Sequence, residues 1–501
     1  MSISKNPRIL VVTPEVTYLP DNMGNMANYL SAKAGGLADV SAALIKALFE
    51  HGADVHVALP DYRALFNAQR TPVVGAALHS IQDTMPDDRI HLAEDRAFFY
   101  MDHVYSNYTA ENMRISLAFQ REVINNIVPR VRPDLIHCND WMTGLIPAMA
   151  RQRGIPCLFT VHNIHTTKLL LAEIEDRGID AAYFWENLYY TRMAYTYEAT
   201  RETNPVDMLA SGIFAAHFVN TVSPTFLHEI VDGYHDFIAG PIRDELSNKF
   251  YAECATGILN APDPSFTPQE DPSLEINYGP DGHQTAKPAN KLDLQKRVGL
   301  IPDADAPLLF WPHRLDSIQK GCQLLSQILY RVIHTYWDLN LEIIFVANGE
   351  YKPHFMDVVH FHGFSKRVAI CDFNEEMARR AYAAADFILM PSRFEPCGLP
   401  QMIGPLYGAL PVAHNTGGIH DTVVSMDVEK DRGNGFLFDV WDGLGLFWAI
   451  EQAVAFHQLP DVVKAPQIAR VMNEAADTFN HAVTAGQYMD LYEKMLQRPL
   501  I

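Results

Sequence analysis

Cysteine is scarce in this chain, six among 501 residues, and no two stand in a C-x-x-C pair. That excludes a zinc ribbon or a dithiol redox motif and suits reduced thiols that act as small buried side chains. Long apolar runs are also missing. The N-terminus passes from Met1 to Pro7 straight into Arg8-Ile-Leu-Val-Val12, too short and too poorly flanked for a signal peptide or a membrane span, so a cytoplasmic protein is expected. Positive charge is in deficit: 39 Lys and Arg face 60 Asp and Glu, a formal charge of −21 that disfavours nucleic acid and anionic membranes but does not repel a neutral polymer. There is no short repeat, no low-complexity tract, and neither a G-x-G-x-x-G fingerprint nor a Walker loop.

What is present is a long, 48% apolar chain, too long for one core. Ile9–Thr13, Asp54–Ala58, Leu135–Cys138, Cys157–Val161 and Phe218–Val222 read as buried parallel strands, each followed by a turn signal and a helical pattern. Leu308–Trp311, Leu341–Ala347, Ala369–Cys371, Phe387–Met390 and Leu410–Ala413 repeat the design. Strands alternating with helices predict two α/β domains with covered parallel sheets. The aperiodic Pro-, Asp- and Gly-rich stretch between them places the boundaries at 1–265 for the first domain, 266–290 for a linker and 291–474 for the second. A terminal helix within 475–501 is expected, with its packing partner open and a return to the first domain one possibility.

Four segments carry chemistry. Lys33-Ala-Gly-Gly-Leu-Ala-Asp-Val40 follows the first strand and opens a helix, so Lys33, Gly35 and Gly36 read either as an anion site or as a common structural turn. Arg314 and Lys320, six residues apart after the first strand of the second half, suit a developing diphosphate charge, or else are two solvated cations. Asp386-Phe-Ile-Leu-Met-Pro-Ser-Arg-Phe-Glu395-Pro-Cys-Gly-Leu-Pro-Gln401 ends a strand in a carboxylate on a tight turn, where Glu395 and the amides of Cys397, Gly398 and Leu399 line the crevice beyond the strand ends. Asn415-Thr-Gly-Gly, with Thr416 at a strand end, offers a further turn. His360-Phe-His362 and His162–His165 lack further ligands nearby, so no metal is expected. Tyr189, Tyr190, Tyr195 and Tyr197 suit buried helix positions better than sugar-stacking faces.

Together these segments resemble the glycogen and starch synthases: K-x-G-G-L-A-D-V at 33–40, F-T-V-H-N at 159–163, T-V-S-P-T at 221–225, G-I-L-N at 257–260 and P-S-R-F-E-P-C-G-L at 391–399. The resemblance implies a GT-B fold, two Rossmann-like doubly wound domains facing across a cleft, and a retaining glycosyltransferase without cofactor. It implies transfer of glucose from ADP- or UDP-glucose, ADP-glucose being preferred, to the non-reducing 4-hydroxyl of an α-1,4-glucan. It further implies that Lys33, Arg314 and Lys320 hold the donor diphosphate, with Gly35, Gly36, Cys397 and Thr416 beside them. Glu395 faces the glucose hydroxyls, backed by the amides of Gly398 and Leu399. By the same resemblance His162 is the active-site histidine with Asp140 close by, Asn260 binds sugar, Phe373 stacks on the base, and Asp39, Glu15 and Trp141 shape the donor and acceptor sides. Partners are then the donor and a glucan or oligosaccharide; a homo-oligomer is compatible.

The chain departs from the family in places. One extra residue stands between Arg314 and Gln319-Lys320-Gly321, Ile164-His-Thr-Thr-Lys168 follows His162-Asn163, Ala210 replaces a lysine, His414 replaces an arginine, and the loop before Lys33 is lengthened. These changes keep two alternatives open: a transferase acting on a short oligosaccharide or small-molecule acceptor, and a weakly active glucan- or nucleotide-sugar-binding regulatory protein.

Overall fold

The apolar runs pair as their composition predicts. In a computed structural model, which describes residues 6–24, 26–68, 89–106 and 108–501, the chain divides into two compact units. One comprises Met1–Asn260 with His481–Ile501, the other Ala261–Asn480.

The first unit is built on a seven-stranded sheet. Its strands are β1 (Arg8–Val12), β2 (Asp54–Pro60), β3 (Ile90–Ala93), β4 (Leu135–Asn139), β5 (Cys157–Val161), β8 (Phe218–Thr221) and β9 (Ala255–Gly257). They lie in the order β3-β2-β1-β4-β5-β8-β9, every pairing parallel. A small antiparallel pair, β6 (Lys168–Leu169) with β7 (Val206–Asp207), is inserted between β5 and β8. β1, β4 and β5 are almost wholly buried, as strands covered on both faces must be.

The second unit carries β10 (Leu308–Trp311), β11 (Glu342–Val346), β12 (Val368–Cys371), β13 (Phe387–Met390), β14 (Leu410–His414) and β15 (Phe436–Phe438). Their order is β12-β11-β10-β13-β14-β15, again all parallel. Alternation along each strand divides the core into two layers. Leu309, Trp311, Ile343, Phe345, Phe387 and Leu389 fill one face. Leu308, Phe310, Ile344, Val346, Ile388 and Met390 fill the other. Each such side chain contributes about 1.5–3 kcal/mol of burial. Both sheets reverse direction beside their first strand, between β1 and β4 and between β10 and β13, which opens a crevice at the carboxyl ends of those strands.

One boundary differs from the sequence reading. The stretch expected as a linker over 266–290 is part of the second unit. The Tyr278 hydroxyl is buried and donates to the Tyr407 carbonyl at 2.9 Å, Asp271 accepts from the Tyr407 hydroxyl at 2.5 Å, Phe266 lies under the Arg379 guanidinium at 4.1 Å, and helix His283–Val298 starts inside the stretch. A helix over Asp461–Thr478 lies in the second unit, and the terminal helix within 475–501 is His481–Leu496, which lies in the first. On the latter, Tyr492 meets the His137 ring at 2.7 Å and Tyr488 accepts from Asn220 at 3.0 Å, while Thr484 donates to the Leu259 carbonyl at 3.0 Å. Of the tyrosines expected on a buried helix, Tyr197 opens the short helix Tyr197–Arg201, while Tyr189, Tyr190 and Tyr195 lie outside helices between β6 and β7, where Tyr195 is 79% exposed. No described helix is long and apolar enough to cross a membrane.

Candidate active site

In the second unit the loops after β10 and β13 meet at the strand reversal. Lys320 donates to Glu395 Oε2 at 2.6 Å, with side chains only 10% and 6% exposed, and the Ser392 hydroxyl donates to the same oxygen at 3.0 Å. A buried ion pair needs fixed partners to offset desolvation, and the neighbouring backbone supplies them. Gly321 has φ +73, and a Cβ there would stand 2.0 Å from the Pro391 carbonyl, so only glycine lets the two loops touch. The Trp441 indole donates to that same carbonyl at 2.9 Å.

The segment between Arg314 and Lys320 is held by its own turn. The Asp316 carboxylate accepts from the amides of Ile318 at 2.8 Å and Gln319 at 2.9 Å, turning the chain outward so that Ile318 is 69% exposed. Gln319 is tied back where the Arg393 amide donates to its carbonyl at 2.7 Å. Arg314 is exposed and has no ion-pair partner among the described residues. Leu315 beside it is buried, its amide donating to the Asn348 carbonyl at 2.8 Å, and the Asn348 side chain accepts from the Phe373 amide at 3.1 Å. Asn348 thus joins the loop of Arg314 to the loop of Phe373, whose ring is 58% exposed.

The Glu395 turn crosses the loop after β14 closely. The Gly418 amide donates to the Glu395 carbonyl at 2.9 Å, and a Cβ on Gly418 would meet the Cys397 carbonyl at 2.1 Å. Cys397, Gly398 and Leu399 are therefore brought beside Thr416. Gly398 has φ +74 and lies against Gln401, whose amide donates to the Cys397 and Gly398 carbonyls at 2.8 and 3.0 Å. His414 is buried and its Nδ1 lies 2.8 Å from the Ser392 carbonyl. His313 is also buried; desolvation, followed by the charges of Lys320 and Arg314, holds its pKa well below the ordinary value. Trp441, Asn348 and His313 escaped the sequence reading, because their backbone and ring contacts leave no pattern in the sequence.

In the first unit the corresponding loops follow β1, β4 and β5. Glu15 is buried; its Oε2 accepts from the amides of Ala34 at 2.7 Å and Gly35 at 3.0 Å, and its Oε1 from the Tyr105 hydroxyl at 3.1 Å. The Gly35 amide, expected to face an anion, is thus already engaged by a carboxylate, which corrects that part of the glycine-turn reading. Gly36 opens helix Gly36–Glu50. Lys33 is largely exposed and pairs with Asp39 at 2.9 Å, while Thr17 donates to the other Asp39 oxygen at 2.6 Å.

Asp140 adopts φ +58, unusual for a residue with a side chain. Its carboxylate accepts from the His162 amide at 2.9 Å, the Asn163 amide at 3.4 Å and the Asn163 side chain at 3.0 Å. Burial pushes its pKa up, to about 7, against those hydrogen bonds and with a contribution from Glu15. Burial also raises Glu15. The His162 ring reaches Asn139 Oδ1 at 2.9 Å, and desolvation lowers its pKa to about 3, leaving it uncharged at neutral pH. Trp141 is buried with the His165 ring edge-on at 5.6 Å. Gly257 packs on the backbone of Pro224, a Cβ there meeting the Pro224 nitrogen at 2.2 Å, so the 221–225 and 257–260 motifs are neighbours. Asn260 is buried, and its Oδ1 has no hydrogen-bond partner among the described residues. Among the described residues no three His, Cys, Asp or Glu side chains gather in a metal-binding arrangement.

Residues 8–240 match the family model of the starch synthase catalytic domain, and residues 306–455 match that of glycosyl transferases group 1. The chain is 31% identical to the glycogen synthase of Bacillus subtilis over 488 residues, covering 92% of this chain and 95% of the relative. It is 32% identical to that of Exiguobacterium sibiricum over 489 residues, with the same coverages of 92% and 95%. Among solved structures, the catalytic domain of starch synthase IV from Arabidopsis thaliana, bound to ADP and acarbose, superposes with a TM-score of 0.77 at 24% identity over 99% of this chain and 100% of that one. Sucrose-phosphate synthase from Thermosynechococcus elongatus gives 0.58 at 16%, over 98% and 99% of the two chains. The fold they share with this chain, two α/β units with parallel sheets, is GT-B.

Proposed function

The chain belongs to the glycogen and starch synthase family and is a glycosyltransferase of that type, and from this premise we propose that it moves glucose from ADP-glucose to the non-reducing 4-hydroxyl of an α-1,4-glucan with retention. The observation that carries the proposal is the buried Lys320–Glu395 pair at the strand reversal of the second unit. It puts a desolvated cation and a carboxylate at one point, which suits a ligand with a diphosphate at one end and a polyol at the other.

In this reading Lys320 and the unpaired guanidinium of Arg314 stabilise the charge that grows on the leaving diphosphate. Glu395 accepts hydrogen bonds from the glucose hydroxyls, and the Gly398, Leu399 and Thr416 backbone holds the donor around it. The bond from the anomeric carbon to the diphosphate oxygen breaks, the bond to the acceptor oxygen forms on the same face, and the hydroxyl proton passes to the departing diphosphate. No glycosidase-like pair of acid and nucleophile is needed. In the first unit, Glu15, Asp140, Trp141 and the neutral His162 serve the sugar side, Lys33 and Asp39 the donor, Asn260 a sugar hydroxyl, and Phe373 in the second unit the base. The cationic side chains stand in for a metal ion, so neither metal nor organic cofactor is proposed. An adenine donor is supported by the ADP bound to the Arabidopsis relative, and a glucan acceptor by the bacterial relatives' name.

Product analysis with ADP-glucose and UDP-glucose, each offered glycogen, maltooligosaccharides or no acceptor, tests the proposal. The expected result is faster transfer from ADP-glucose to glycogen and a new α-1,4 linkage by proton NMR. Release of nucleotide only with short acceptors, or a β-linked product, would overturn it.

A further inference from the structure

At the strand reversal of the second unit one buried side chain has a polar atom that the fold leaves unused. His313 lies just beyond the end of β10 at Trp311 and is only 6% exposed. Three contacts fix its position. The Trp311 indole donates to its carbonyl at 3.1 Å, the Trp311 ring stands edge-on to the imidazole at 6.0 Å, and the imidazole hydrogen-bonds the Leu389 backbone on β13. The bond to Leu389 favours the protonated ring, as a bond to a carbonyl does, so one ring N–H is spent there. The other ring nitrogen, Nε2, is buried and has no hydrogen-bond partner among the described residues. Folds pair nearly all their buried polar atoms, and an exception beside a ligand crevice points to a partner that arrives with the ligand.

The surroundings define that partner. Arg314 is the next residue in the chain, and Lys320, paired with Glu395 at 2.6 Å, is the other cation acting on the ring. Burial first, and then the charges of Lys320 and Arg314, hold the imidazole well below its ordinary pKa and therefore neutral near pH 7. Nε2 then carries a lone pair and no hydrogen, and only a donor can satisfy it. The phosphates of a nucleoside diphosphate sugar have no hydrogen to give at neutral pH. The hydroxyl groups of its ribose and of its hexose do, and they flank the diphosphate on either side.

We propose that His313 is a donor-binding residue, whose Nε2 accepts a hydrogen bond from a hydroxyl of the nucleotide sugar held by Lys320 and Arg314. The inference rests on the reading of those two cations as the diphosphate site. Because the acceptor is buried before the ligand arrives, a donor lacking the hydroxyl leaves it unpaired, and the site selects against such a donor.

Calorimetric titration of the full-length protein with ADP, ADP-glucose, UDP and UDP-glucose tests this in wild type, His313→Asn and His313→Gln, with unfolding midpoints as a check of folding. Asparagine replaces the anchored nitrogen with an amide N–H and puts nothing at Nε2, whereas glutamine reaches that point with an oxygen. The expected result is that His313→Asn binds the preferred nucleotide sugar about tenfold more weakly at an unchanged midpoint, and that His313→Gln recovers most of the loss. A loss shared by the free nucleotide places the hydroxyl on the ribose; a loss confined to the nucleotide sugar places it on the glucose. Unchanged binding by His313→Asn, or an equal loss in both variants, overturns the acceptor role and leaves the diphosphate reading standing. A loss that deepens as pH falls from about 8 to 6 also overturns it, since the ring would then serve the phosphates as a cation. Wild type that binds none of the four nucleotides refutes the diphosphate reading and the proposal with it.

Discussion

Breaking the Lys320–Glu395 pair from either side should cost far more than removing both charges together. Each side chain is at least nine-tenths buried and the bond is 2.6 Å long, so Lys320→Met leaves a carboxylate held only by Ser392, and Glu395→Gln leaves an ammonium facing a neutral amide. Stranding one partner of a buried pair costs about 3–5 kcal/mol, whereas replacing both by neutral groups is close to neutral. The double-mutant cycle should therefore show a coupling of at least about 6 kcal/mol, the sum of the two single losses, well above the few tenths expected of independent sites. Because two units need not unfold together, the assay should read the second unit alone, by hydrogen exchange of peptides covering β10 and β13. Either single variant should open those strands at least about 150-fold more often, and the double variant should recover most of that protection. A double variant whose loss equals the sum of the singles would refute the reasoning.

Three further outcomes follow from other parts of the molecule. Gly321→Ala should destabilise the second unit by at least about 2 kcal/mol and reduce transfer, since φ +73 and the Pro391 carbonyl at 2.0 Å leave no room for a methyl group; an unchanged urea midpoint would contradict this. Lys287 donates to the carbonyls of Ala383, Ala385 and Tyr407 at 2.9, 2.8 and 2.9 Å, so Lys287→Met should cost about 3 kcal/mol in the same unfolding experiment. Asp140 keeps its proton up to about pH 7 in the fold but releases it near 3.8 when unfolded. The folded state then binds more protons between those values, and stability falls as pH rises through them. Asp140→Asn should match wild type at pH 3.5 and gain on it steadily to pH 7; a gap independent of pH would count against the assignment.

Much of this was legible in advance because parallel strands buried on both faces leave unbroken apolar runs. All ten expected strands are present, their ends within two residues of those expected. Those missed are short or lie at edges: Ala255–Gly257 and Phe436–Phe438 have three residues each, and Ile90–Ala93 contains a histidine. The stretch over 266–290 read as a linker because composition reports turns, while its anchors, Phe266, Asp271 and Tyr278, are isolated residues without period. Glu395 and Lys320 were nameable from their motifs, but that they touch depends on an outward turn at Asp316 and on Gly321 lying against Pro391. The engagement of the Gly35 amide by Glu15 could not be read from a Gly-Gly pair, since the partner lies twenty residues away.

The central claim is that the second unit's ion pair belongs to a glucosyl-transfer site. Glycogen-dependent release of ADP from ADP-glucose, compared between wild type and Glu395→Ala at matched folding, tests it most directly. The account predicts release that requires glycogen and falls by at least about 100-fold in the variant, the loss of more than 2.7 kcal/mol of transition-state stabilisation. Release that persists in a folded Glu395→Ala protein would contradict it.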